Sequence, residues 1–418
     1  MLAICVVPLF VQQATAPAVP SFQQQLTQAE SVAQPMRLEA TPVFDGVISP
    51  DEWDPFYASA TMQSYLQWAP QHVYFAAKLP AGADLVASFD FGGKGWLIGA
   101  EHLEARVSLE EGKPALKIRI LDATNPAGPA WIPVQGFADA AQVAATSDSA
   151  GWTVEVGLED PGLGILPDYK GGPVGARIDE VPSATVDAEP FWPRNLAPLK
   201  FETDRDSLPA GLHFQPESWG RDITPGNGTS MRLTWNGQSS SPVQSLEIHT
   251  LGPAQGSVSQ VQMPFAKFDK KNRAFVDYRA QVGADAPIGF HIVRATLTFA
   301  DGTTGTSEMS YEIAPLVSFD MPVEIGKSQD KDWNERITVY IQSHSSKRVD
   351  GQFSVVPPEG WPVVSGNMKS FVLFEPHARK RQVFEVHVPA GTHGAFPFKF
   401  QAQIGDHMVE QTLWKTIR

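Results

Sequence analysis

Apolar and polar residues alternate along most of this chain. In Val73–Leu79, Val73, Phe75, Ala77 and Leu79 share one face. In Leu116–Ile120 the apolar residues alternate with Lys117 and Arg119, and in Trp152–Leu158 the even-numbered residues form the apolar stripe. A period of two is that of a strand with one buried and one wet face, the usual state in an antiparallel sheet. The pattern returns at 288–297, 337–341 and 383–388, where Phe384, Val386 and Val388 point inward and Glu385 and His387 outward. No segment shows a convincing helical period. The 34 glycines and 35 prolines break the chain at short intervals, which suits sandwiches of short strands.

The 418 residues exceed what one core organises. Residues 201–228 are polar and rich in turn formers, and one β pattern ends and another begins at Ala314-Pro315-Leu316. These breaks predict an all-β protein of three consecutive antiparallel β-sandwich domains, at 37–200, 205–315 and 316–418. The last two have the size of an immunoglobulin-like sandwich, about 100 residues. Ahead of them, the apolar run Leu2–Val11 and the small-residue pattern Ala14-Thr15-Ala16 read as a secretory signal over 1–18. Residues 19–36 are rich in Gln, Ala, Ser and Pro and read as a flexible leader. No other run approaches the roughly 18 apolar residues of a membrane span. The expected location is therefore secreted or cell-surface, with no membrane span after signal cleavage. Cys5 is the single cysteine, so the mature chain is expected to lack disulfides and thiolate sites.

Charge narrows the partners. The net charge of −14 is concentrated early: residues 37–200 hold 22 acids and 11 bases, a net of −11. A surface that tracks nucleic-acid phosphates needs clustered Lys and Arg, so no nucleic-acid partner is expected. Asp45, Asp51, Glu52 and Asp54 cluster within ten residues. Such a loop is either a solvated turn or a source of the hard oxygens that calcium takes.

Two tryptophans stand apart from the strands. Trp96 and Trp192 lie in Gly- and Pro-rich segments, Lys94–Gly99 and Glu189–Asn195. A loop indole either folds back on the core or is held out as a platform for a flat apolar ligand face, such as a sugar ring. Trp53, Trp68 and Trp152 fall in or beside strands and are read as core. Trp131, in a Pro-rich loop, is a third candidate platform.

The first domain resembles the family 9 carbohydrate-binding modules. The resemblance rests on Thr41-Pro42-Val43-Phe44-Asp45-Gly46 leading to Asp51-Glu52-Trp53, on Leu66–Ala76, and on Gly151–Val156 with its glutamate. It implies a carbohydrate ligand clamped between two tryptophans, which fall on Trp96 and Trp192. The implied polar contacts fall on Glu104 and on Lys117 or Arg119. A structural calcium is implied near the entry, at Asp45 and Asp51. Two departures stand out: Glu101 replaces an aspartate, one residue further from Trp96, and Ala69-Pro70 replaces an acidic pair. The third domain resembles the immunoglobulin-like domains found beside α-galactosidases, on the stretch Val355–Pro362 with its Pro-Pro-Glu-Gly-Trp turn.

Catalytic signatures are missing. There is no G-x-S-x-G, no H-E-x-x-H and no cysteine nucleophile, and scattered acids on any surface offer carboxylate pairs. The expectation is a non-catalytic carbohydrate-binding protein with immunoglobulin-like spacers, acting near a separate glycoside hydrolase or on a cell surface. Three alternatives stand beside it: an adhesive protein whose sugar site is vestigial, a haem-binding relative using Met62 and His102, and a glycosidase fragment.

Overall fold

The computed structural model describes residues 34–50, 52–92, 102–122, 130–166, 173–183, 196–202, 206–218, 222–237, 241–253, 258–260, 267–268, 274–322 and 326–417. Strands make up most of these residues, as the alternation predicts. No described helix is long and apolar enough to cross a membrane.

Twelve strands build the first sandwich. They are β1 (Gln34–Arg37), β2 (Pro55–Ala58), β3 (Gln63–Ala69), β4 (His72–Pro80), β5 (Ala83–Asp90), β6 (His102–Glu110), β7 (Lys113–Asp122), β8 (Ala130–Pro133), β9 (Gln142–Ser147), β10 (Gly151–Glu159), β11 (Pro173–Pro182) and β12 (Ala197–Glu202). One sheet runs β1-β12-β11-β5-β6-β7-β8, the other β2-β3-β4-β10-β9. Leu85, Ala87 and Phe89 of the first sheet meet Val73, Phe75, Ala77, Val154 and Val156 of the second between the layers. Trp68 and Trp152 are buried there as read, with their indole N–H groups donating to Met36 O (2.8 Å) and Ala83 O (2.9 Å).

Three expectations need correction. The leader does not extend to residue 36: Gln34–Arg37 pairs in parallel with β12, and Met36 is buried. A short helix, α1 (Gln135–Ala140), sits between β8 and β9 with Phe137 in the core. The outer face of β3, β4 and β10 is covered over part of its length. Residues 40–50 and 52–54 wrap it, so Tyr65, Tyr74 and Ala76 are buried beneath Phe44, Ile48 and Trp53. Gly157 exists for this layer, because a Cβ there would stand 2.5 Å from the Phe44 ring. Trp53 is accordingly buried outside the sheet rather than between the two layers.

Glu155 holds the wrap in place. It lies on the covered face of β10 and is fully buried. Its carboxylate accepts the backbone N–H of Asp45 (3.0 Å) and Gly46 (2.6 Å) and the Trp53 indole N–H (3.1 Å). Burial pushes its carboxyl up to about 7, against the downward pull of those donors.

Two further sandwiches follow, over 206–313 and 317–417, each with two sheets of four or five strands and its own core. Both dock on the first. Thr41 N donates to Phe290 O (3.0 Å), Phe290 N donates to Thr41 Oγ1 (2.9 Å), and His72 packs edge-on against Phe290. On another side, Trp414 N donates to Pro161 O (2.8 Å), and the Trp414 indole lies on the Cα of Gly136 in α1, where a Cβ would come within 2.6 Å. The Pro161 loop is shaped by Asp160, whose two carboxylate oxygens accept five backbone N–H groups, from Gly162 to Leu166.

Candidate functional site

The core-facing residues of β5, β6 and β7 have polar partners on the opposite face of the seven-stranded sheet. Register brings them into rows. Ser88 lies beside Glu104, and Glu104 beside Arg119. Asp90 lies beside His102, and Leu121 beside Trp131. Strand alternation alone places all of these away from the core.

The polar strip is covered to an unusual degree. Ser88, Asp90, His102 and Glu104 are at most 5 % exposed, although they face away from the sandwich core. Buried charges require partners, and the strip supplies them. Arg119 sets both Nε and Nη2 at 2.6 Å from Glu104 Oε1. Its guanidinium stacks 5.0 Å from the centroid of the Trp131 ring. One row further, Arg106 donates through Nε (3.0 Å) and Nη2 (2.8 Å) to Asp84 Oδ2, while Ser183 donates to Asp84 Oδ1 (2.6 Å). His102 Nε2 is 3.7 Å from Asp90 Oδ2. The Ser88 hydroxyl is buried and has no hydrogen-bond partner among the described residues.

The sequence-predicted residues divide as follows. Glu104 and Arg119 are brought together. Lys117 lies one row away, exposed, with Nζ 3.9 Å from Glu110, so of the two basic alternatives Arg119 is the one that meets the glutamate. Trp131 joins the strip through Arg119. Trp96 and Trp192 lie outside the described residues, in the β5–β6 and β11–β12 connections. The described flanks of those connections border the strip: Gly92 N donates to Asp90 Oδ1 (3.1 Å), and the Leu196 side chain lies against Gly175, next to Asp90. Ser88, Asp90 and His102 were not singled out as sugar contacts. Their signal was available, because they alternate with Ala87, Phe89 and Leu103.

At the entry, Asp45 Oδ1 accepts the Val47 N–H (2.8 Å), and Asp51 lies outside the described residues. Glu52 accepts the N–H groups of Val43 and Ser49. Among the described residues no group of three or more His, Cys, Asp or Glu side chains converges. The haem alternative meets a geometric obstacle, since Met62 belongs to the inter-sheet core while His102 faces the other way.

No protein-family model matches the sequence, and no curated protein sequence matches it. Among solved structures, the chain is similar to a carbohydrate binding module family 9 from Caldicellulosiruptor kristjanssonii in complex with cellotriose. The identity is 13% and the TM-score 0.29, over 41% of this chain and 94% of that one. It is also similar to Escherichia coli alpha-2-macroglobulin activated by porcine elastase, at 10% identity and a TM-score of 0.27, over 87% of this chain and 44% of that one. A three-domain titin structure, I67–I69, is 7% identical with a TM-score of 0.19, over 86% of this chain and all 100% of its own. None of these three is a domain from an α-galactosidase.

Proposed function

We propose that this chain is an exported, non-catalytic carbohydrate-binding protein whose ligand lies on the outward face of the seven-stranded sheet. The observation that carries this reading is the Glu104–Arg119 pair, stacked on Trp131 in a strip that faces away from the core. A pyranose presents neighbouring hydroxyls and an apolar C–H face. Charged groups fixed in a partly dry strip make strong hydrogen bonds to such hydroxyls. An indole meets the C–H face, and each stack contributes on the order of 1 kcal/mol by analogy with aromatic pairs. Trp96 and Trp192, which belong to the two connections whose described flanks border the strip, are the proposed clamp. The immunoglobulin-like sandwiches serve as its mount, near a separate glycoside hydrolase or on a cell surface.

One observation favours a second reading, a structural or adhesive protein with a vestigial site. Glu104 with Arg119, and Asp84 with Arg106, already satisfy one another. Affinity electrophoresis of the full chain through gels containing soluble glucans, xylans or mannans separates the two. Retention of the wild type on one polymer is expected. It should weaken by about ten-fold in the double variant Glu104→Gln/Arg119→Met, which removes the pair without stranding a buried charge. A folded wild type that no gel retards supports the vestigial site.

A further inference from the structure

The wrap over the five-stranded sheet stops short of one end. There a groove of about 680 Å³ opens between the β2–β3 turn and the β9–β10 turn, on the opposite side of the sandwich from the polar strip. This volume is in the range of small-ligand sites. Its floor is one row of the sheet: Gln63 pairs with Lys78, Lys78 with Thr153, and Thr153 with Thr146. All four residues line the groove. Their strands are adjacent, so the row repeats at about 4.8 Å and spans about 14 Å. That repeat is comparable to the length of one sugar ring.

Lys78 is exposed at the centre of the row and has no ion-pair partner among the described residues. Its neighbours are uncharged donors and acceptors. Gln63 Oε1 accepts the Tyr65 hydroxyl (3.2 Å), which leaves the amide N–H groups as donors. Thr146 Oγ1 donates to Gly46 O (2.7 Å), which leaves its lone pairs as acceptors. The one carboxylate in the lining, Asp148, is committed to its own turn through the N–H groups of Ala150 (2.8 Å) and Gly151 (3.1 Å).

We propose that this groove is a second binding site, for an acidic oligosaccharide laid across the strands with one carboxylate on Lys78. A carboxylate is the complement of a lone ammonium, and hydroxyls on the flanking sugars match the amide and hydroxyl groups beside it. An acidic peptide fits less well. Peptides are held by open strand edges or apolar pockets. Here the ligand would lie on the face of the sheet, where β3, β4 and β10 are paired on both sides and, of the row, only β9 is an edge strand, and Met62, Leu79 and Trp152 are buried beneath it. The acidity of the domain opposes an anion only weakly at long range, since exposed charges more than about 8 Å apart are largely screened in physiological salt.

The test is calorimetry of the full chain with a galacturonate tetrasaccharide, its methyl ester and tetraglutamate. The acidic sugar should bind, and Lys78→Met or methyl esterification should each weaken binding by about ten-fold. The Glu104→Gln/Arg119→Met variant, altered on the opposite sheet, should bind the acidic sugar unchanged, so this site stands or falls independently of the proposed function. Equal binding of the ester, tighter binding of tetraglutamate, or no heat from the acidic sugar with folded wild type would each overturn the proposal.

Discussion

Glu155→Ala should strip the wrap from the first sandwich and cost about 3–5 kcal/mol of its stability. The substitution leaves the N–H groups of Asp45, Gly46 and Trp53 without their acceptor. Each such buried donor costs about 1–3 kcal/mol, and access of water to the loosened segment limits the sum. Glu155→Gln should cost less, about 1–2 kcal/mol: an amide oxygen still accepts the two backbone donors, but the amide nitrogen faces the indole N–H. The same carboxyl also gives a pH signature. Its folded value near 7 lies above the ordinary value of 4.5, so the folded state holds the proton more tightly than the unfolded chain. The stability associated with that proton is complete below about pH 4.5 and is lost as pH rises toward 7. Chemical denaturation from pH 4.5 to 7.5 should show this decline in the wild type and a flatter profile in Glu155→Gln. A wild-type profile that rises across this window would place the carboxyl low instead.

Trp414→Ala should release the third sandwich from the first. Trp414 is buried, yet it lies outside the core of its own sandwich; its indole packs on Gly136 of α1. Truncating a buried tryptophan costs about 3–5 kcal/mol, and here the loss falls on docking rather than on either core. Gly136→Val should act from the other side, because a side chain there meets the indole ring. Both variants should increase the radius of gyration in small-angle scattering and open the 314–326 region to protease. If scattering and cleavage are unchanged, the contact does not fix the arrangement.

Strand positions were legible because the period of two is local. Val73, Phe75, Ala77 and Leu79 announced their common face without reference to any other part of the chain. What covers the other face was not legible, because it depends on a segment thirty residues away. Tyr74 and Ala76 look like a half-wet face until Phe44 and Trp53 are laid over them. The glutamate of Gly151–Val156 was legible as part of a family pattern, but its task, holding the Asp45-Gly46 turn, emerges only from the pairing of β10 with β4. Glu104 and Arg119 were nameable from order along the chain. That Arg119 rather than Lys117 meets Glu104 is a matter of register, since Glu104 pairs with Arg119 and Arg106 with Lys117. The polar strip around them was written in the alternate residues of β5 and β6, and it was passed over because polar alternates usually mean solvent. The helix α1 is six residues long, too short to register a helical period.

A glycan array probed with the full chain, alongside Trp96→Ala and Trp192→Ala at matched thermal stability, is the most direct trial of sugar recognition by the first sandwich. The wild type should select a defined set of glycans, and each variant should lose that set while melting as the wild type does. Silence from a folded wild type, or indole-less variants that bind as well as the parent, would contradict it.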